Sequence, residues 1–193
     1  MHLAPQPHRR LIGVVGPPAS GKSTLAATLA QALDAHGAMT SVVPMDGFHL
    51  DDRLLEQDGT ASRKGAPHTF DTSGFLRLIK ALQSRDPVVY PIFDRSREIA
   101  IAGAGRVPAT CDTVVVEGNY LLLKDEAWAR LHPLWTFTIA LHPPVETLIE
   151  RLRARWDEHG KSDAARWIET NDLPNIETVM TRSVPADVTW TES

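Results

Sequence analysis

The sequence predicts an α/β fold of three layers: a mainly parallel central sheet between helices, with a small helical lid. Three observations predict it. Short apolar runs alternate with longer amphipathic segments, the pattern of βαβ units. The run Thr113–Val116 is almost wholly apolar, as a strand covered on both faces must be. A glycine-bounded turn joins the first apolar run directly to the first amphipathic segment. A length of 193 residues fits one domain spanning 1–193, with the lid at about 151–170.

The elements follow in order. Leu11–Val15 is a strand. Lys22–His36 is a helix with Leu25, Leu29 and Leu33 on one stripe, closed by Gly37. Thr40–Val43 is a second strand. Asp71–Ser73 caps a helix over Phe75–Gln83 that buries Leu76, Ile79 and Leu82. Val88–Ile92, Thr113–Val116 and Trp135–Leu141 are further strands, and Pro144 opens a helix reaching about Trp156. Gly47–Thr69 and Asp94–Thr110 read as long irregular stretches, and loops of that length usually carry function.

Bulk properties exclude several classes. The formal net charge is −4, against the strongly basic footprint of a nucleic-acid binder. One cysteine, Cys111, rules out an internal disulfide or a cysteine-built zinc site. No apolar run approaches the roughly 18 residues of a membrane span, and the first ten residues, MHLAPQPHRR, lack a secretory apolar core. The expectation is a cytoplasmic protein without membrane insertion.

The chemistry begins at Gly16-Pro17-Pro18-Ala19-Ser20-Gly21-Lys22-Ser23-Thr24, a complete G-x-x-x-x-G-K-[ST] between a strand and a helix. Its glycines let consecutive backbone N–H groups turn toward one phosphate, and the helix start adds its positive dipole end. Lys22 reaches the β- and γ-phosphates, and Ser23 offers its hydroxyl to Mg²⁺. A purine nucleoside triphosphate with Mg²⁺ follows. A second Gly160-Lys161-Ser162 lacks the first glycine and the preceding strand, and reads as a loop. No Asn-Lys-x-Asp segment for guanine occurs.

Val114-Val115-Val116-Glu117-Gly118-Asn119 ends a strand in a carboxylate suited to a metal-bound water. Arg151 and Arg155, four apart on one helix face, suit a clamp on a transferring phosphoryl group. The alternative for both is a solvated face paired with Glu146, Glu150 or Asp157.

The set GPPASGKST, MDGFH, RKGAPHTFD, PIFDRS, VVVEGN and the arginine helix resembles the P-loop small-molecule kinases of the pantothenate kinase, uridine kinase and phosphoribulokinase superfamily. Within it the chain is most similar to bacterial kinases described with sugar (fructose) transport systems, over about residues 10 to 190. The resemblance implies the P-loop NTPase fold, ATP and Mg²⁺ as cofactors, and γ-phosphoryl transfer to a small hydroxyl acceptor, a sugar or sugar-like alcohol. It leaves a homodimer open. It assigns Asp46 to the acceptor hydroxyl and, with Ser23 and Glu117, to the metal's surroundings.

Acceptor contacts implied are Phe48, His49, Lys64, Asp94, Arg95, Glu117 and Asn119. His49 reads equally as a loop histidine bonded to a carbonyl, and Asp71 equally as a helix cap. Asp51 and Asp52 read as caps of a short helix. The loop Thr181–Pro185 is expected beside the base. A uridine- or pantothenate-type kinase, or a nucleotide-binding regulatory module without an acceptor, are the competing readings. A long histidine-bearing segment of pantothenate kinases, and the acidic-aromatic segment of uridine kinases, have no counterpart here.

Overall fold

The computed structural model describes residues 8–158 and 163–191. Five strands, β1 (Arg10–Val15), β2 (Thr40–Pro44), β5 (Thr113–Gly118), β6 (Phe137–Leu141) and β7 (Val188–Trp190), form one parallel sheet in the order β2-β5-β1-β6-β7. β5 is buried at every residue because it lies between β2 and β1 and is covered on both faces. Its alternation divides the core: Val114 and Val116 enter one cluster with Leu11, Val15 and Val43. Val115 enters another with Val14 and Ala26.

Helix α1 (Lys22–Ala35) covers the second face. The leucine stripe read from the sequence flanks the contact, and the fully buried positions are Ala26 and Ala30, whose small side chains let the helix approach the sheet closely. On the first face α3 (Thr72–Leu82) buries Phe75, Leu76, Leu78, Ile79 and Leu82. Its cap is Asp71, whose carboxylate accepts from the Gly74 N–H at 2.7 Å. The stretch Gly47–Thr69 is shorter of irregular structure than the sequence suggests, since it contains α2 (Asp52–Gln57), capped by Asp51.

The largest departure concerns β3 (Val88–Asp94). It joins no parallel sheet but pairs antiparallel with β4 (Ile99–Val107), a strand inside the stretch expected to be irregular. Its small-residue run IAIAGAGRV carries little hydrophobic alternation, so partner pairing, not pattern, makes it a strand. The hairpin leans on the sheet through Tyr90, whose hydroxyl donates to the Val42 carbonyl at 3.1 Å. The Pro91 carbonyl passes so close to Gly47 that a Cβ there would sit 2.0 Å from it, so glycine is required.

After β5 come α4 (Glu126–Ala129) and, beyond β6, α5 (Val145–Glu158), α6 (Ala164–Trp167), a wide π-helical turn Ile168–Asp172 and α7 (Leu173–Arg182). Leu148, Leu152, Ile168 and Ile176 pack with Ala19 of the phosphate loop, so these helices are seated on that loop. Gly160-Lys161-Ser162 lies outside the described residues, as do residues 1–7.

One cation holds the far end together. Arg9 is 3% exposed, and its guanidinium donates to the carbonyls of Cys111 (3.1 Å), Asp86 (2.9 Å), Pro108 (2.9 Å) and Ser84. It thereby joins the connection before β3 to the one after β4. Substituting Arg9→Met keeps most of the stem but strands these carbonyls. We expect a loss of about 3 kcal/mol, read as a fall in melting temperature of roughly 6–12 °C.

Candidate active site

The phosphate loop binds through its backbone. Ala19 and Gly21 adopt left-handed conformations (φ 62° and 86°), which turn successive N–H groups toward one concavity. Helix α1 has no side-chain cap at Gly21, so its first N–H groups are left for an anion. The Ser20 hydroxyl oxygen is buried with no partner among the described residues. These features fit a bound phosphate chain.

Behind the loop, Ser23 Oγ donates to Glu117 Oε1 at 3.0 Å. Glu117 is 6% exposed, and burial pushes its carboxyl above the ordinary range while Lys22 opposes the shift. Burial likewise lowers the Lys22 ammonium, opposed by Glu117 and Asp46. The two opposite charges thus each offset part of the other's burial cost. No cluster of three or more carboxylate, histidine or cysteine ligands exists among the described residues. That suits Mg²⁺, which takes few protein ligands and leans on phosphate oxygens. Of the residues expected around it, Ser23 and Glu117 are bonded to each other, and Asp46 lines the cavity with Lys22.

Asp46 sits in a 3-10 turn, Met45–Phe48, just past β2. It accepts from Arg95 Nη2 at 2.5 Å. A cavity of about 590 Å³ opens here, lined among others by Pro18, Lys22, Asp46, His49, Arg95 and Arg155. His49 is stacked between Phe70 (4.1 Å) and Phe93 (4.8 Å). Burial lowers its pKa, with Asp46 opposing, and its Nδ1 has no partner among the described residues. The alternative of a histidine bonded to a carbonyl through that nitrogen is thus not the arrangement found. Asn119 also lines the cavity and keeps a buried, unpartnered Oδ1.

Lys64 lines the same cavity, but its ammonium is taken by Asp52 (2.7 Å) and Glu98 (3.1 Å). Burial works against its charge, and these bonds outweigh burial and raise its pKa. Asp52 is therefore a partner of Lys64, while Asp51 alone caps α2.

Three expectations differ from what the structure shows. Phe48 turns inward against Phe75 (5.2 Å) in the core, because the 3-10 turn aims it at α3; Phe70 and Phe93 line the cavity in its stead. Asp94 accepts from Ser96 Oγ (2.6 Å), Ser96 N–H and Arg97 N–H, so it is spent on closing its own hairpin turn. Arg151 and Arg155 share a helix but not a cavity. Arg151 lines a second one, of about 630 Å³, with Ser20, Gly21, Thr24, Thr28 and Trp190 on the other side of the loop. Within Thr181–Pro185, Ser183 bridges to Leu123 and the Val184 N–H bonds to the Leu122 carbonyl.

The sequence reading missed Trp156, Trp167, Asn171, Asp172 and Asn175, which also line the cavity. The signal available was weak: polar residues that are 1% (Asn171), 6% (Asp172) and 2% (Asn175) exposed look like ordinary surface positions until the chain is folded.

Comparison with known proteins places the whole chain among relatives. A family model described as an AAA domain matches residues 12–172. The crystal structure of a "putative fructose transport system kinase" from Silicibacter sp. TM1040 is 48% identical, with a TM-score of 0.94, covering 98% of this chain and 93% of that one. The Schizosaccharomyces pombe protein named "Putative uridine kinase C227.14" is 31% identical over 203 residues, 97% of this chain and 85% of the relative. The Escherichia coli K12 protein YggC is 35% identical over 188 residues, 94% of this chain and 78% of the relative.

His49 generates a pH dependence. Its folded pKa is lowered from 6.5, so the unfolded chain takes up the proton first. The stability that neutral His49 permits is present above that value and is lost as pH falls through it toward the folded pKa. Melting temperatures at about pH 7.5 and about pH 5.5 should show a smaller acid-side drop in His49→Phe than in the parent chain.

Proposed function

The chain belongs to the P-loop kinases, and from that membership we propose that it transfers the γ-phosphoryl group of ATP to a hydroxyl of a sugar or sugar-like alcohol. The observation that carries this reading is the meeting of Asp46 with Lys22 on the wall of one cavity at the end of the phosphate loop. A module that only bound nucleotide would need no carboxylate there. The base end of the nucleotide is assigned to the second cavity, with Thr24, Thr28, Arg151 and Trp190, and the γ-phosphate end to the first. The sugar preference is supported by likeness to the Silicibacter protein, whose name carries it.

In the proposed reaction the acceptor oxygen forms a bond to the γ-phosphorus as the bond to the β,γ-bridging oxygen breaks and ADP leaves. Asp46 takes the acceptor proton. A carboxylate is a weak base, but in a largely dissociative transfer its main contribution is to orient the hydroxyl in line. Arg95 holds Asp46 in place, and Lys22 and Arg155 face the charge that develops on the phosphoryl oxygens. Mg²⁺ held by Ser23 and Glu117 would neutralise the phosphate chain. A cytoplasmic site of action belongs to this reading, because the donor is ATP and Cys111 is a buried free thiol.

The test is ADP release against a panel of sugars, nucleosides and vitamins. Slow turnover alone, with acceleration by one compound, is expected; tight ATP binding with no acceleration by any member would favour a regulatory module. Asp46→Asn should lower acceptor-dependent turnover by about a thousandfold, in the range set by loss of acid–base and orienting roles, while ATP affinity stays nearly unchanged. Lys22→Ala should weaken triphosphate binding or turnover by roughly a hundredfold or more, as expected for a lost charge-assisted phosphate contact.

A further inference from the structure

In the reaction above Asp46 carries the acceptor proton, and Arg95 holds Asp46. Arg95 is a weak anchor by itself. Its side chain is 60% exposed, and an exposed ion pair gains little beyond the entropy lost in ordering two side chains. Where its guanidinium stands therefore depends on how firmly the turn between β3 and β4, residues 95–98, is fixed.

Asp94 holds that turn from inside, accepting from the Ser96 and Arg97 N–H groups. Bonds between near neighbours set the turn's shape, not its place over the cavity. Lys64 holds it from outside: its Nζ bonds to the Glu98 carboxylate at 3.1 Å and donates to the Glu98 carbonyl at 3.3 Å. Glu98 has a φ of 54°. Residues other than glycine seldom enter that region, and they stay there where their surroundings impose it. Lys64 thus grips the side chain and the backbone of the one strained residue in the turn.

Lys64 is itself firmly seated. Its side chain is 14% exposed, and its ammonium bonds to Asp52 of α2 at 2.7 Å. It lies 5.4 Å from the centre of the Phe93 ring, on β3. Its own carbonyl accepts from Asn171 Nδ2 at 2.7 Å. One lysine therefore connects α2, the hairpin turn and the π turn Ile168–Asp172.

We propose that Lys64 is a positioning residue for phosphoryl transfer: by gripping Glu98 it fixes the 95–98 turn, and through that turn the Arg95 guanidinium that holds Asp46. The proposal rests on the kinase reading above.

The grip and the chemistry are measured separately. Backbone hydrogen exchange, followed by mass spectrometry without ligand, reads the grip. Exchange over residues 95–99 should rise about tenfold in Lys64→Met, while that of β5 is unchanged. ADP release at saturating Mg-ATP, with fructose, uridine and pantothenate as probes, reads the chemistry. With the probe that accelerates the parent chain, Lys64→Met should lower kcat about thirtyfold, within reach of a misplacement near 1 Å. The KM for ATP should stay within about twofold. Lys64→Arg, which keeps the charge, should hold kcat within about threefold. Glu98→Gln, at an exposed side chain where folding is not at stake, should lower kcat about fivefold; the loss is smaller because the bond from Lys64 to the Glu98 carbonyl survives. Added to Lys64→Met, it should cost nothing further. Asp52→Asn, also at an exposed side chain, should leave kcat within about twofold.

Unchanged exchange over 95–99 in Lys64→Met overturns the grip and the proposal with it. Faster exchange with an unchanged kcat overturns the positioning role and leaves the kinase reading standing. So does an Asp52→Asn enzyme as slow as Lys64→Met, because Lys64 would then only anchor α2. If no probe accelerates ADP release, the kinase reading for these acceptors falls, and the positioning role falls with it whatever the exchange shows.

Discussion

The in-register parallel pairing of β1, β5 and β2 is the constraint on which the rest of the structure depends. Val14 and Pro44 both lie opposite Glu117, so three strands end at one level. The phosphate loop after β1, Glu117 at the end of β5 and Asp46 just beyond β2 therefore emerge at the same edge. That edge is the carboxyl end of a parallel sheet, where α/β proteins place ligands. A slip of one residue in β5 would turn Glu117 to the other face and drive Val115 and Val116 to exchange clusters. Burial on both faces of β5 makes such a slip costly, so the core enforces the geometry of the site.

Charge compensation is the second theme. Lys22 and Glu117 are desolvated, and each is tolerable because the other is near. Asp46 and Arg95 form a second pair, contributed by the turn after β2 and the hairpin of β3 and β4. Lys64 gathers Asp52 and Glu98. The cavity is thus lined by charges that are largely matched among themselves.

The helices after β6 owe their position to ordinary packing. Ala19, in a left-handed conformation within the loop, touches the apolar cluster of Leu148, Leu152, Ile168 and Ile176. The apolar side of the phosphate loop is thereby used by those helices, which leaves its amide side facing the cavity edge of the sheet.

The sequence by itself determined what depends on near neighbours in the chain. The strand-loop-helix at Gly16–Thr24 was legible because its glycines, lysine and serine act within nine consecutive residues. The parallel strands were legible because burial on both faces demands continuous apolar runs, and the Asp51 and Asp71 caps because a cap acts within three residues. Tertiary structure alone decided the rest. The strand β4 has almost no hydrophobic alternation and exists because β3 pairs with it. Asp94 and Phe48 looked equivalent to Arg95 and His49 in the sequence, but hairpin and turn geometry spent one on a local bond and buried the other. Arg151 and Arg155 share a face of the helix, yet the phosphate loop runs between the cavities they line. Asn171 and Asp172 came to line the cavity only when a widened turn closed them against the Lys64 carbonyl and the Trp156 indole. Contacts between positions this far apart in the chain depend on the whole fold and leave no local pattern to read.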